Sequence, residues 1–332
     1  MAESPTEMGA TRPLGGDDLI LPFQTERSGV TGRVVRLGSV ADAVLSRHDY
    51  PEPVSRILGE ALALTALLGA SLKFEGKLIL QTKTDGPIDM LVVDFETPGK
   101  MRGYARYDAE RLVARIQAQK DAGLSDMLLG SGHLALTIDQ GADMDRYQGI
   151  VALNSDNLSE AADTYFRQSE QLPTFIRLAV GRSFSGGTGQ GAAGSWGWRV
   201  GGLMIQYVTP AGGDEGATPV EDDVEPGLAG EDHEDWQRAR FLAETVEDHE
   251  LLDPLLAPER LLYRLFHEEG VNAVLPRPLE AYCQCSRERI KDVLDGFTDD
   301  ELADMREDDG GISVTCEFCS TRYNFSDSDI AG

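Results

Sequence analysis

Hydrophobic and polar positions fall into distinct periods along the chain. After Gly29, Val34, Val35 and Leu37 predict a strand, and Pro51 and Pro53 then open a long apolar helix running to about Lys73, since proline is tolerated in a first helical turn. Strand-like runs follow at Lys77–Thr82, Met90–Phe95, Met101–Tyr107, Leu134–Asp139 and Gly149–Leu153, punctuated by Asp85-Gly86-Pro87 and Pro98-Gly99 turns. A helix is expected from Asn157, where Glu160 three residues on completes a capping pattern, to a point before Pro173. Two further strands are expected at Thr174–Val180 and Trp198–Val208. Strands and helices do not alternate strictly, so the spacing predicts a largely antiparallel α+β domain over residues 18–210 rather than a doubly wound sheet.

Outside that domain the pattern changes. Residues 1–17 combine Pro, Gly, Thr and charge without a hydrophobic period and are expected to form a disordered leader. Residues 211–235 are a Gly/Pro-spaced acidic run that buries too little apolar area to offset ordering entropy, which predicts a solvated insert. Two amphipathic helices come next. The first, near Trp236–Asp248, carries Trp236, Ala239, Phe241, Leu242 and Val246; the second starts at Pro258 and aligns Leu261, Leu262, Leu265 and Phe266. Together, 211–270 form an acidic insert and helical linker whose stripes must pack on something.

The last unit, 271–332, has short elements only. Ser286 caps a helix ending at Gly296, Thr298-Asp299-Asp300-Glu301 is a capping box, and Asp309-Gly310-Gly311 turns the chain into a hairpin of Ile312–Thr315 and Arg322–Phe325. A unit of about 60 residues with so thin a core needs help to fold.

That help is found in the cysteines. The chain has four, Cys283-Gln284-Cys285 and, after 30 intervening residues, Cys316-Glu317-Phe318-Cys319. Two close pairs far apart in sequence suit a tetrahedral Zn²⁺ site, each pair forming one knuckle. Structural disulfides or four unconnected thiols are the alternatives. Disulfides favour oxidising compartments, and no signal-peptide pattern opens Met1-Ala2-Glu3-Ser4-Pro5, so a cytoplasmic metal site is expected. C-x-C is tighter than the C-x-x-C of ordinary zinc ribbons. Such close cysteines can share a metal or close a small, strained and easily reduced disulfide ring.

Charge and composition narrow the function. A formal net charge of −27 disfavours nucleic acid and anionic membrane surfaces as partners. The longest apolar stretch, Ile57–Leu72, contains Glu60 and is shorter than the roughly 20 residues of a membrane-spanning helix. Gly189-Gln190-Gly191-Ala192-Ala193-Gly194 spells a dinucleotide-binding G-x-G-x-x-G, but Trp196-Gly197-Trp198-Arg199-Val200 behind it is strand-like, so no helix N-terminus would meet a pyrophosphate. His48, His133, His233, His249 and His267 show no H-E-x-x-H spacing; His267 is a ligand only in principle, because four thiolates already close a zinc shell. Nucleophile-elbow and phosphate-loop motifs are missing from the sequence. No catalytic or further cofactor-binding residue is expected, and the chain is read as not an enzyme.

With these residues in hand, the chain resembles the heat shock protein 33 family of redox-regulated bacterial chaperones. The C-x-C, the spacer and the C-x-x-C carry the resemblance, extended by Cys283-Gln284-Cys285-Ser286-Arg287-Glu288-Arg289. Supporting stretches are His48-Asp49-Tyr50-Pro51, Leu72-Lys73-Phe74, Asp85-Gly86-Pro87, Met101-Arg102-Gly103, Arg146-Tyr147-Gln148-Gly149, Ser169-Glu170-Gln171-Leu172-Pro173-Thr174 and Leu265-Phe266-His267-Glu268-Glu269. It covers about residues 25–330, with 211–235 as an acidic expansion. The resemblance implies an ATP-independent holdase in the cytoplasm. Its reduced form would hold one Zn²⁺ per chain on Cys283, Cys285, Cys316 and Cys319 and be inactive. Oxidation would form Cys283–Cys285 and Cys316–Cys319 disulfides, release zinc, unfold the 271–332 redox-switch domain and the linker, and yield a form that binds unfolding client proteins and dimerises with itself.

Three rival classes are weighed. A nucleic-acid-binding zinc ribbon has the wrong charge, because from Arg277 onward there are six Lys/Arg against fourteen Asp/Glu. A thiol–disulfide oxidoreductase wants its C-x-x-C at a helix N-terminus, whereas Cys316–Cys319 is expected in a hairpin. A purely structural zinc site on an unrelated enzyme would make oxidation merely damaging.

Overall fold

One helix sets the architecture. Of the eighteen residues in Glu52–Gly69, fourteen are buried, so it has no solvent face and must lie inside the protein. Two antiparallel sheets enclose it. In the computed structural model, which describes residues 16–72, 75–122, 128–141, 146–155, 157–185, 194–208 and 230–330, the chain runs β1 (Leu19–Thr25), β2 (Val30–Leu37), α1 (Ser39–Leu45), α2 (Glu52–Gly69), β3 (Lys77–Thr84), β4 (Ile88–Glu96), β5 (Lys100–Tyr107), α3 (Ala109–Ala122), β6 (Gly132–Asp139), β7 (Tyr147–Leu153), α4 (Leu158–Tyr165), β8 (Thr174–Ser185) and β9 (Ser195–Tyr207). The linker follows as α5 (Glu234–Glu244), α6 (Asp248–Leu252) and α7 (Pro258–Phe266). Behind it come β10 (Val271–Ala273), β11 (Arg277–Pro278), β12 (Glu280–Ala281), α8 (Arg287–Leu294), α9 (Asp299–Asp304), β13 (Ile312–Thr315), β14 (Arg322–Phe325) and α10 (Asp327–Ile330).

The first sheet has the order β10-β1-β2-β9-β8, with β11 also on β1; the second runs β12-β5-β4-β3-β6-β7. Their facing sides meet α2 in the main core, which joins Val35 and Leu37 of β2 to Leu78, Leu80, Leu91 and Val93 of β3 and β4. Close approach uses the helix glycines: a Cβ on Gly69 would fall 2.4 Å from the Phe95 ring. The α+β, largely antiparallel class expected from sequence is the one observed. Asn157 accepts from the Glu160 amide at 3.1 Å, as its capping pattern predicts.

The outer side of the first sheet is covered by the linker. Leu21, Phe23, Val34, Leu203 and Ile205 from the sheet pack with Trp236, Ala239, Leu251, Leu262 and Phe266 from α5–α7 in a second apolar cluster. The end of the linker is tied back to α5 by Glu269, a buried carboxylate that receives Arg238 Nε at 2.7 Å and Nη2 at 3.1 Å, and to the first domain through Glu269 O, which accepts from the Arg27 amide at 3.0 Å. The hydrogen bonds from Arg238 hold the Glu269 carboxyl below its ordinary range.

Several elements depart from the sequence expectation. The helix expected over Trp236–Asp248 is two helices: α5 stops at Glu244 and Glu247 starts α6 with its own capping box to Glu250. Strand β1 was not visible as a period, and β10 to β12 begin the cysteine-bearing segment by pairing with both sheets of the first domain. Asp17, at the edge of the expected leader, pairs with Arg199 at 2.5 Å. The rest of the leader (1–15), most of the acidic insert (209–229) and the glycine-rich loop (186–193) lie outside the described residues.

Burial separates core from linker surface in a testable way. Leu64→Ala on α2, a fully buried side chain, is expected to cost about 2–5 kcal/mol in denaturant unfolding. Phe241→Ala, on an α5 residue that is 67% exposed, is expected to stay within about 0.5 kcal/mol.

Candidate metal centre

The chain reaches the first cysteine pair from the edge of the second sheet. Here β12 pairs with β5 and Tyr282 N–H donates to Met101 O at 2.8 Å, so Cys283 and Cys285 follow β12 on a fixed heading. Ser286 then caps α8 by accepting from the Arg289 amide at 3.2 Å, and Thr298 caps α9 with a reciprocal Glu301 contact. The second pair sits where β13 turns into β14. Ser320 N–H donates to Cys316 O at 2.8 Å, Cys316 N–H to Thr321 O at 3.0 Å, and Ser320 itself takes a left-handed φ of 55°. Beneath this turn only Leu294, Leu302, Ile312 and Phe325 are buried apolar residues.

The four sulfurs, from two pairs separated by 30 intervening residues, all lie within 4.8 Å of one another. Cys283 and Cys285 Sγ are 3.4 Å apart, Cys283 and Cys316 3.7 Å, and Cys285 and Cys319 3.3 Å. A tetrahedron of sulfurs about 2.3 Å from a central ion has edges of roughly 3.8 Å. The donor set and its spacing therefore fit one tetrahedral metal ion with soft ligands.

Ionisation within the cluster is uneven. Burial pushes the Cys285 thiol up to about 12, against the opposing pull of the Tyr323 hydroxyl 3.3 Å away. Cys316 is raised by burial as well. Burial also opposes ionisation of Cys319, yet the Thr321 hydroxyl, 3.2 Å from its sulfur, the Thr321 amide and the neighbouring thiols outweigh it and bring Cys319 down to about 6. Four sulfurs this close cannot all carry charge without a cation among them.

Residues between the cysteines touch the first domain. Gln284 Nε2 donates to Glu96 Oε2 at 2.8 Å. Phe318 lies under the Arg102 guanidinium, 3.8 Å from the ring centre, with Tyr104 edge-on at 4.9 Å. His48 completes the seat: its Nδ1 is 2.8 Å from Ser320 Oγ and its Nε2 3.4 Å from Phe318 O. Arg102 is itself held by Asp94 at 2.6 Å. Thus each cysteine knuckle is docked on the core through its spacer residues.

Sequence reasoning named the four cysteines but not this seat. His48 and Arg102 stood in family-like stretches that gave no hint of a partner some 270 residues and 216 residues away, respectively, in Ser320 and Phe318. His267, a ligand only in principle, instead places its ring Nδ1 3.0 Å from Tyr263 O in the linker. Among the described residues, no helix is long and apolar enough to cross a membrane.

Docking can be uncoupled from metal binding. Phe318→Ala is expected to leave metal stoichiometry unchanged while raising the protease sensitivity of the cysteine module several-fold; unchanged sensitivity would remove Phe318 from the docking contact.

Comparison with known proteins agrees with this geometry. The profile of the family described as Hsp33 protein matches residues 18–326. A 33 kDa chaperonin of Caulobacter vibrioides is 47% identical over 307 residues, 92% of this chain and 94% of that protein. One from Pseudomonas aeruginosa is 39% identical over 312 residues, 93% and 92% of the two chains. Among solved structures, the 33 kDa chaperonin of Thermotoga maritima shares the fold, with a TM-score of 0.68 at 22% identity over 95% of this chain and 97% of that one. With residues 18–326 matched and its four cysteines gathered at one point, the chain belongs to the Hsp33 family, and its function is that of a chaperone.

Proposed function

We propose that this chain is a redox-regulated, ATP-independent holdase of the cytoplasm, switched by Cys283, Cys285, Cys316 and Cys319. The observation that carries the proposal is the meeting of four sulfurs within 4.8 Å in a module whose own apolar core, among the described residues, is Leu294, Leu302, Ile312 and Phe325. One Zn²⁺ held there would keep all four sulfurs as thiolates and supply the folding free energy that so small a core lacks.

Oxidation then removes the folding centre. Two thiolates joining as a disulfide give up two electrons, which one peroxide accepts as it is reduced with protons to two waters; two peroxides serve both pairs. Cys283–Cys285 and Cys316–Cys319 are the proposed disulfides, a pairing taken from the family, since Cys285 lies as near to Cys319 as to Cys283. Zinc is released for want of thiolate ligands. With the module unfolded, Phe318 and Gln284 leave their seats on the core. The linker loses the strand pairings of β10–β12 behind it and departs from the first sheet.

What the departing linker uncovers is the client-binding surface. Phe23, Val34, Leu203 and Ile205 form one contiguous apolar face, and faces of this kind above a few hundred Å² bind protein. Two such faces meeting would form the oxidised homodimer. Unfolding proteins are held, not turned over, so no catalytic residue is assigned.

Light scattering of a heat-unfolding client tests the proposal: the peroxide-treated protein is expected to suppress aggregation and the reduced zinc-loaded protein to leave it unchanged, while equal behaviour of the two forms would sink the redox switch. A second check is the metal itself. Cys283→Ser is expected to weaken zinc binding by at least about 10-fold in a chelator competition; full affinity would remove Cys283 from the site.

A further inference from the structure

The linker-covered face of the first sheet is not uniformly apolar. Among its apolar residues it carries three arginines on neighbouring strands: Arg36 on β2, Arg199 on β9 and Arg177 on β8, the last directly opposite Leu203. Arg36 is 2% exposed, yet it points at no carboxylate within hydrogen-bond reach. Its Nη1 donates to Asp253 O at 2.6 Å and its Nη2 to Glu250 O at 2.7 Å. Arg199 Nε donates to Leu252 O at 2.6 Å, and Arg177 Nη2 to Asp248 Oδ1 at 2.7 Å. These four acceptors belong to α6 and the residue after it, while the Nη1 and Nη2 of Arg199 are paired with Asp17 and Arg36 Nε is buried without a partner among the described residues.

The floor between these arginines is glycine. A Cβ on Gly201 would stand 2.6 Å from Leu251 O and 2.9 Å from Leu251 Cβ, and one on Gly181 would stand 3.0 Å from Leu252 Cδ1. Backbone meets backbone there, with Leu251 fully buried. A five-residue helix cannot stand alone in water. It persists here because its last carbonyls, which no further turn would satisfy, are taken by fixed guanidinium groups in a shallow groove.

Burying an arginine is costly unless its donors are matched. Simple apolar packing of the linker would be served better by leucine or valine at position 36. The arrangement instead reads main-chain carbonyls, which every polypeptide has, beside an apolar side chain and a carboxylate. We propose that the Arg36–Arg199–Arg177 groove is a peptide-recognition site of its own: α6 occupies it as an internal ligand, and short apolar–acidic segments of unfolding proteins occupy it in the same manner once the linker has left. This rests on the proposed release of the linker. A chain of net charge −27 repels acidic segments at a distance, so selection for them has to be made at contact, where charge-assisted hydrogen bonds act.

The test uses a labelled synthetic peptide of residues 245–257 and fluorescence anisotropy. The receptor is the full chain carrying Leu251→Asp, whose own α6 is prevented from refilling the groove. This chain is expected to bind the peptide, and the reduced parent, with its groove filled, is expected not to. Adding Arg36→Met and Arg199→Met is expected to weaken binding by about 10-fold or more, the usual loss when charged hydrogen bonds are removed. Adding Gly201→Val in place of the arginine changes fills the floor with a good strand former and is expected to abolish binding without unfolding the sheet. Absent binding by the Leu251→Asp chain, or binding indifferent to both arginine and glycine changes, would overturn the proposal. Client protection by the oxidised parent is measured separately. If protection fails while the peptide binds, the redox switch falls and the groove stands; if protection succeeds while the peptide does not bind, the groove alone falls.

Discussion

The convergence of four sulfurs is the constraint on which the rest depends. The segment from Tyr282 to Ile330 buries Leu294, Leu302, Ile312 and Phe325 and little else, far less than a unit of its size needs to offset chain entropy. Capping boxes and one short hairpin orient the backbone but add only about 1 kcal/mol each. On the proposed function, what joins Cys283, Cys285, Cys316 and Cys319 decides whether this module is folded at all.

From that point, contacts run outward in sequence. Gln284 and Phe318, the residues between the cysteines, sit on Glu96 and on the Arg102–Tyr104–His48 seat. Behind the module, β12 pairs with β5, and β10 and β11 with β1, so the same segment edges both sheets. The linker lies between these anchors and the first domain. Its end is tied to α5 by the Glu269–Arg238 pair and to the first domain by the Glu26 and Arg27 amides, which donate to Glu269 O, and its middle is held by α6 among Arg36, Arg199 and Arg177. Charged hydrogen bonds of this kind specify position more than they stabilise. The buried apolar cluster under α5 and α7 supplies the attraction.

Elements with strong local signals were legible in the sequence. The strand runs of the second sheet, the capped helix at Asn157 and the Ile312–Phe325 hairpin follow from period, caps and turns. The fully apolar α2 was legible as a buried helix, though not as the partition between two sheets. Strand β1 escaped because Pro22 interrupts Leu19-Ile20-Leu21 beside a polar leader; its strand state comes from β2 and β10. Strands of two or three residues such as β11 and β12 have no local signal at all, being made by their partners. The cysteine spacing announced a shared site, while the seat at His48 and Arg102 joins residues more than 200 positions apart and has no period to reveal it.

Hydrogen exchange of the α5–α7 amides, compared between the zinc-loaded reduced chain and the same chain after peroxide treatment, most directly tests the coupling of sulfur chemistry to the cover. Protection in α5–α7 is expected to fall by orders of magnitude on oxidation while α2 and the sheet strands keep theirs. Linker protection that survives oxidation and loss of the metal would contradict the coupling, leaving the four cysteines as a structural site without control over the face beneath the linker.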